Sequence, residues 1–249
     1  AILEYEQDAD SCTAHELDGT GLVTQLRESR RQALKIVESR ADAHFAFTVD
    51  PARQSPEIKD LFAHFEIVTS ADLTGPRGQA ALAAQALTTG VSQAVACQLA
   101  TGIDDHDDEW ATGHAPALRN GFFALGRLIG YLKGKQVPRT GESYWRNTTL
   151  LCFSEFSRTP LLNSRGGRDH HLAASCLLAG PGLRGNRVIG GTTDLGMGVG
   201  RVDLATGALA KDGVTLRPAD VHATVLHAMG LSYRHIDNQD PVLISALLR

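Results

Sequence analysis

The sequence predicts an α/β protein, with a mostly parallel sheet flanked by helices and a small hairpin towards the C-terminal end. Three observations lead there. Short apolar runs bounded by loop residues recur at 91–99 (VSQAVACQL), 148–153 (TTLLCF) and 171–179 (HLAASCLLA), the pattern of buried strands. Helical periodicity fills the intervals between them, and alternating strands and helices build parallel sheets. Residues 187–216 are glycine-rich, and their Ala-Thr-Gly and Lys-Asp-Gly turn signals suit a hairpin.

Taken in order, the first twenty residues read as an acidic, irregular arm. Residues 22–40 place Leu22, Leu26, Leu34 and Val37 among charges, predicting an exposed amphipathic helix. Ser55-Pro56-Glu57 reads as a cap and first turn ahead of Ile58, Leu61, Phe62 and Phe65. Pro76 opens an Ala-rich helix over about 78–89, which Gly90 ends. Residues 115–133 carry Leu118, Phe122, Leu125, Leu128, Ile129 and Leu132, the spacing of a core-facing helix. Pro218 begins a final helix closed by Gly230. The organisation predicted is an irregular or helical segment over 1–74 and an α/β domain over 75–249, joined in one globular unit.

Composition excludes several functions. With 249 residues, 43% hydrophobic and 21% charged, the chain can bury a core without disulfide or metal staples. Net charge is −4 with no Lys/Arg block, so nucleic acid is not an expected partner. No apolar run reaches the roughly 20 residues that span a bilayer. Cys97, Cys152 and Cys176 sit in apolar runs and read as core thiols; with Cys12 they show no zinc-ribbon or CxxC spacing. Phosphate-loop, dinucleotide and GxSxG signatures are missing from the sequence.

The residues after each predicted strand are more informative, because ligands of open α/β sheets bind at strand ends. After 91–99 comes Asp104-Asp105-His106-Asp107-Asp108-Glu109; after 148–153 comes Ser154-Glu155-Phe156-Ser157-Arg158-Thr159; ahead of the third run comes Arg168-Asp169-His170-His171. Carboxylate with imidazole is a ligand set for zinc, manganese or iron, and carboxylate with backbone oxygen suits calcium. Each cluster also has a plain structural reading. An acidic run is a solvated loop or a helix cap, Glu155 pairs with Arg158, Asp169 pairs with Arg168, and one of His170-His171 is a core histidine.

The stretch CFSEFSRTPLLNSRGGRDHHLAASCLLAGPGLRGNRVIGGTTD resembles the bacterial DUF1501 family, whose hallmarks read S-E-F-G-R-T-P, G-R-D-H, L-L-A-G-x-G and G-x-V-x-G-x-T-D. GIDDHDD is similar to that family's Asp-x-His element, and PADVHATVLHAMGL to its closing helix. Ser157 stands where the family has glycine, and His171 where it has an aromatic residue. The resemblance implies a branch of the alkaline phosphatase/sulfatase superfamily, with an alkaline-phosphatase-like fold and a divalent ion (Zn, Mn or Ca). It implies Asp104, His106, Glu155, Asp169 and His170 as the metal ligands, Asp169 being either a ligand or an orienter of one. Arg158 and Arg168 are then available to clamp a phosphate or sulfate ester, a small molecule or an envelope component. The superfamily nucleophile lies on N-terminal elements that have no counterpart before residue 75. The chain therefore reads as a C-terminal portion, completed by another polypeptide or serving as a catalytically incomplete scaffold. An extracytoplasmic location is implied by the family's export signals.

Overall fold

The computed structural model describes residues 27–31, 34, 41–233 and 240–249. The acidic arm, Cys12 and most of the 22–40 helix lie outside the described residues; 27–31 and 34 within that helix are helical.

Four helices make the larger core: α1 (Pro56–Phe65), α2 (Ser70–Thr74), α3 (Pro76–Thr88) and α4 (Ala115–Gly134). Ser55 starts α1 by accepting the Ile58 N–H at 3.3 Å, with Pro56 at the first helical position. The i, i+3, i+4, i+7 spacing of Ile58, Leu61, Phe62 and Phe65 then buries one face. Against it α3 buries the small side chains Ala80, Ala81, Ala83 and Ala84, with Leu87 half-buried beside them, and α4 adds Ala124, Leu128, Tyr131 and Leu132. These residues lie on both sides of position 74, so the N-terminal segment and the 75–249 region share this core.

The predicted parallel sheet is not what forms. The named strands are β1 (Leu150–Cys152), β2 (Ser157–Arg158), β3 (His170–His171) and β4 (Leu177–Ala179), in two antiparallel pairs, β1 with β4 and β2 with β3. Parallel neighbours need a crossover of a dozen or more residues, usually a helix. Residues 153–176, between β1 and β4, form no helix and instead carry the β2–β3 pair; Leu150 pairs with Ala179 and the strands run opposite ways. Residues 91–99 form no strand and are largely exposed. They cross α4 at Gly121, where an added Cβ would lie 2.5 Å from the Leu99 carbonyl oxygen. An alkaline-phosphatase-like, helix-flanked parallel sheet is therefore excluded for the described residues. The same lack of a covering layer exposes Cys97 and Cys176 and leaves Cys152 half-buried; all three are free, and only Cys152 approaches the core thiol expected.

Beyond β4, antiparallel bridges join Thr192 to Val199 and Val202 to both Leu209 and Val214. α5 (Pro218–Ala228) packs beside a second core of Leu183, Ile244 and Leu247. Its fully buried Asp220 accepts the Arg217 N–H at 2.8 Å and the Val242 N–H at 2.9 Å, tying the C-terminal segment to the helix. No helix among the described residues is long and apolar enough to cross a membrane.

Candidate metal centre

The centre is built where the β2–β3 pair meets the acidic 104–109 loop. Register places Arg158 opposite His170, so the two side chains emerge side by side. The connecting loop is pinned at both ends. The Thr159 N–H donates to the Asp169 carbonyl at 2.9 Å, and Asn163 Oδ1 accepts the Arg165 N–H at 2.9 Å and the Gly167 N–H at 3.1 Å.

The acidic loop docks directly on this excursion rather than lying free in solvent. The Arg168 N–H donates to the Asp105 carbonyl at 2.7 Å, and Asn163 Nδ2 donates to the His106 carbonyl at 3.0 Å. Gly167 makes the approach feasible. A Cβ there would lie 2.1 Å from the His106 carbonyl carbon and 2.3 Å from the Asp107 nitrogen.

Docking brings together Asp104, His106 and His170, whose ligand atoms all lie within 4.8 Å of one another. His106 Nε2 is 3.1 Å from His170 Nε2 and 3.4 Å from Asp104 Oδ1. Three ligands at about 2.1 Å from one tetrahedral ion stand about 3.4 Å apart, so this spacing fits a first-row divalent metal. Asp169 Oδ1 lies 3.0 Å from His106 Nδ1; in the tautomer with the proton on Nδ1 it accepts that hydrogen bond, and Nε2 carries the lone pair that a metal needs. Nε2 faces a carboxylate oxygen and a second imidazole nitrogen. Here Arg158 supplies the positive charge, with Nη2 donating to Asp104 Oδ1 at 2.6 Å and Nη1 standing 3.3 Å from His106 Nε2.

Electrostatics follow the contacts. The Arg158 hydrogen bond, reinforced by its charge and by His106 and His170, holds the Asp104 carboxyl below the usual carboxylate range. Hydrogen bonds from Asn163 and then His106 do the same for Asp169. His170 stacks on Phe156 with ring centroids 4.0 Å apart, which fixes its plane.

The sequence profile of the family described as "Protein of unknown function (DUF1501)" matches residues 6–239. The chain belongs to the DUF1501 family. No curated protein and no solved structure matches it.

In this DUF1501 protein the structure sorts the residues singled out from sequence. Asp104, His106 and His170 converge, and Asp169 stands behind His106 as its orienter. Glu155 is exposed and accepts from Ser154 Oγ at 3.2 Å; it is not among the converging groups, and Arg158 pairs with Asp104 instead of with it. Arg168 is held away from the cluster. Its Nη1 donates to the Thr159 carbonyl at 2.9 Å and to the Pro160 carbonyl, and its guanidinium lies 4.9 Å over the Trp110 ring. That makes it a staple of the loop rather than an ester clamp.

Sequence reasoning passed over the support behind this cluster. Asn163 bridges both ligand loops, and the turn residues around it (Asn-Ser-Arg-Gly-Gly) were the signal available. Asp105 and His114 are both buried, at 2% and 6% exposure, and Asp105 Oδ2, His114 Nδ1 and Arg168 Nε are buried without a hydrogen-bond partner. Trp110 packs on His114 with ring centroids 4.3 Å apart and planes tilted by 31°, completing an Arg168–Trp110–His114 column. Burial lowers the His114 pKa against the opposing pull of Asp105, and the Arg158 and Arg168 charges lower it further.

Proposed function

We propose that this DUF1501 protein is a metal-dependent hydrolase of phosphate or sulfate esters, with a centre chemically akin to those of the alkaline phosphatase/sulfatase superfamily. The observation that carries the reading is the convergence of Asp104 Oδ1, His106 Nε2 and His170 Nε2, with Asp169 fixing the His106 tautomer. Two imidazoles with one carboxylate favour zinc or manganese over calcium, which prefers all-oxygen sites. A bound divalent ion would polarise the ester oxygen and lower the pKa of a coordinated water.

The chain's own residues divide the remaining work. Asp169 holds the proton on His106 Nδ1 so that Nε2 stays a donor of its lone pair. Arg158 holds its guanidinium at the edge of the cluster, with Nη2 on Asp104 Oδ1 and Nη1 on the Arg168 carbonyl at 3.1 Å, and an ester anion would bind it by exchanging for the Asp104 bond. Glu155 lies open to solvent on the segment leading to Arg158.

A second reading is a catalytically incomplete scaffold. It draws support from the nearby hydroxyls: Ser154 Oγ donates to Glu155, and Thr159 Oγ1 donates to the Leu161 carbonyl at 2.9 Å while accepting the Asp169 N–H. Neither hydroxyl is among the converging groups, so in the hydrolase reading the attack falls to a water.

Elemental analysis of purified protein, with turnover of 4-nitrophenyl phosphate and sulfate under zinc or manganese, separates the two. The hydrolase reading expects near-stoichiometric metal and turnover, both lost in His106→Ala and His170→Ala. Metal content unchanged by those substitutions refutes the centre; bound metal without turnover of either ester leaves the scaffold.

A further inference from the structure

Beside the candidate metal centre runs an open groove of about 430 Å³, whose lining includes Pro160, Leu161, Leu162, Asp169, Asp194 and Met197. That volume lies inside the range of small-molecule sites, roughly 300–1,000 Å³. Building on the reading of the centre as an ester hydrolase, we infer that this groove is the subsite for the substrate's uncharged aryl arm.

One wall is ordered by contacts tied to the centre, the other by its own turn. The Thr159–Asn163 wall is fastened to Asp169 by the Thr159 N–H, by Thr159 Oγ1 accepting the Asp169 N–H at 3.1 Å, and by Asn163 Nδ2 donating to Asp169 Oδ1 at 3.1 Å. The same Asp169 oxygen holds His106, so the groove begins one residue from the ligand cluster. The opposite wall is a hairpin tip closed by the Thr193 N–H on the Gly198 carbonyl at 2.9 Å. Gly196 at φ 72° and Met197 at φ 51° are consecutive left-handed residues. That conformation is costly for a long side chain, and it sets Met197 on the groove.

Chemistry selects the occupant. Leu161 and Leu162 are 73% and 60% exposed on one wall, an apolar patch open to solvent beside the centre. The charged groups in the lining are the carboxylates of Asp169 and Asp194, and no Lys or Arg contributes. An anionic ester head is therefore repelled from the groove and drawn to Arg158 and the ion, while an uncharged arm is accepted. A thioether and a proline ring suit the face and edge of an aromatic ring better than a flexible chain.

The test uses phenylphosphonate and methylphosphonate, which present the same anion to the zinc-loaded protein and differ only in the arm. Seating a ring removes roughly 80 Å² more apolar surface from water than a methyl does, which predicts about 30-fold tighter binding, about 2 kcal/mol. The sequence has two methionines, Met197 and Met229. Methyl-¹³C-methionine labelling thus gives a reporter in the groove and an internal control, and Met197→Ala assigns the peaks. Phenylphosphonate should move the Met197 signal and leave Met229 in place. Met197→Ala and Leu161→Ser should each flatten the preference severalfold while keeping methylphosphonate affinity. Tight phenylphosphonate binding with an unmoved Met197 signal, or a preference that survives both substitutions, overturns the groove and leaves the centre standing. A protein that takes up no zinc and binds neither phosphonate overturns the centre and the groove with it.

Discussion

Replacing Asp169 with alanine removes the carboxylate that accepts the His106 Nδ1–H at 3.0 Å and leaves the three converging ligand atoms chemically intact. The imidazole is then free to shift its proton to Nε2, the atom that must donate its lone pair. Losing such an orienting carboxylate costs about 10- to 100-fold in metal affinity. The exposure of Asp169 decides where in that range this protein falls. Its side chain is 55% exposed, so water screens its charge and partly replaces its hydrogen bond. The loss should sit at the lower end, about tenfold in zinc Kd, or about 1.4 kcal/mol. Asp169→Asn keeps an acceptor oxygen without the charge and should fall between native and alanine. Isothermal titration with zinc at neutral pH, under a competing chelator, reads all three proteins. His106→Ala sets the scale by losing a ligand outright. Native-like zinc affinity in Asp169→Ala, beside clear loss in His106→Ala, refutes the orienting role.

Three other outcomes are expected from the same geometry. Arg158→Gln removes the guanidinium that occupies Asp104 Oδ1, so zinc need not displace a charge-assisted hydrogen bond; affinity should rise about tenfold by titration while any ester turnover falls, and weaker zinc binding would contradict it. Gly167→Ala forces a Cβ against the His106–Asp107 backbone. Separation of the loops should cost about 1–3 kcal/mol in urea unfolding and abolish metal uptake, whereas a native-like variant would refute the close packing. Asp220→Ala orphans the backbone N–H groups of Arg217 and Val242, at a cost on the order of 2 kcal/mol. Burial pushes the Asp220 carboxyl up, but hydrogen bonds from Arg217 and Val242 and the Arg217 charge outweigh it and leave the pKa lowered. Its contribution is therefore complete above the unfolded carboxyl value near 4 and lost as pH falls through the lower folded value. Chemical denaturation from pH 6 to pH 2 should show native and Asp220→Ala stabilities converging at the acid end; a constant gap refutes the linkage.

Much of the local structure is legible in the sequence because it rests on short-range causes. Ser55-Pro56 starts a helix by capping and a preset φ, and the apolar spacing of 58–65 and 115–133 forms helical faces whatever they pack against. The residue types of the centre are equally legible: carboxylates and imidazoles beside apolar runs are costly without a partner or a cation, and Asp104, His106, Asp169 and His170 do meet. Strand pairing is not legible. An apolar run of four to nine residues looks the same whether it is a central parallel strand, a short antiparallel edge or an exposed crossing, and only a partner's backbone tells them apart. Residues 91–99 defeat the strand reading for that reason, since the partner they lie against is the α4 helix at Gly121. Tertiary structure also decides the roles of like residues. Arg158 and Arg168 are both arginines near a strand end, yet register sets the first opposite His170, while the docked loop sets the second over Trp110. Sequence alone thus determined which groups this protein has available and where α1, α3, α4 and α5 form. The folded chain determined which of those groups share one point in space, because that depends on long-range docking through Asn163 and Gly167 that no local pattern encodes.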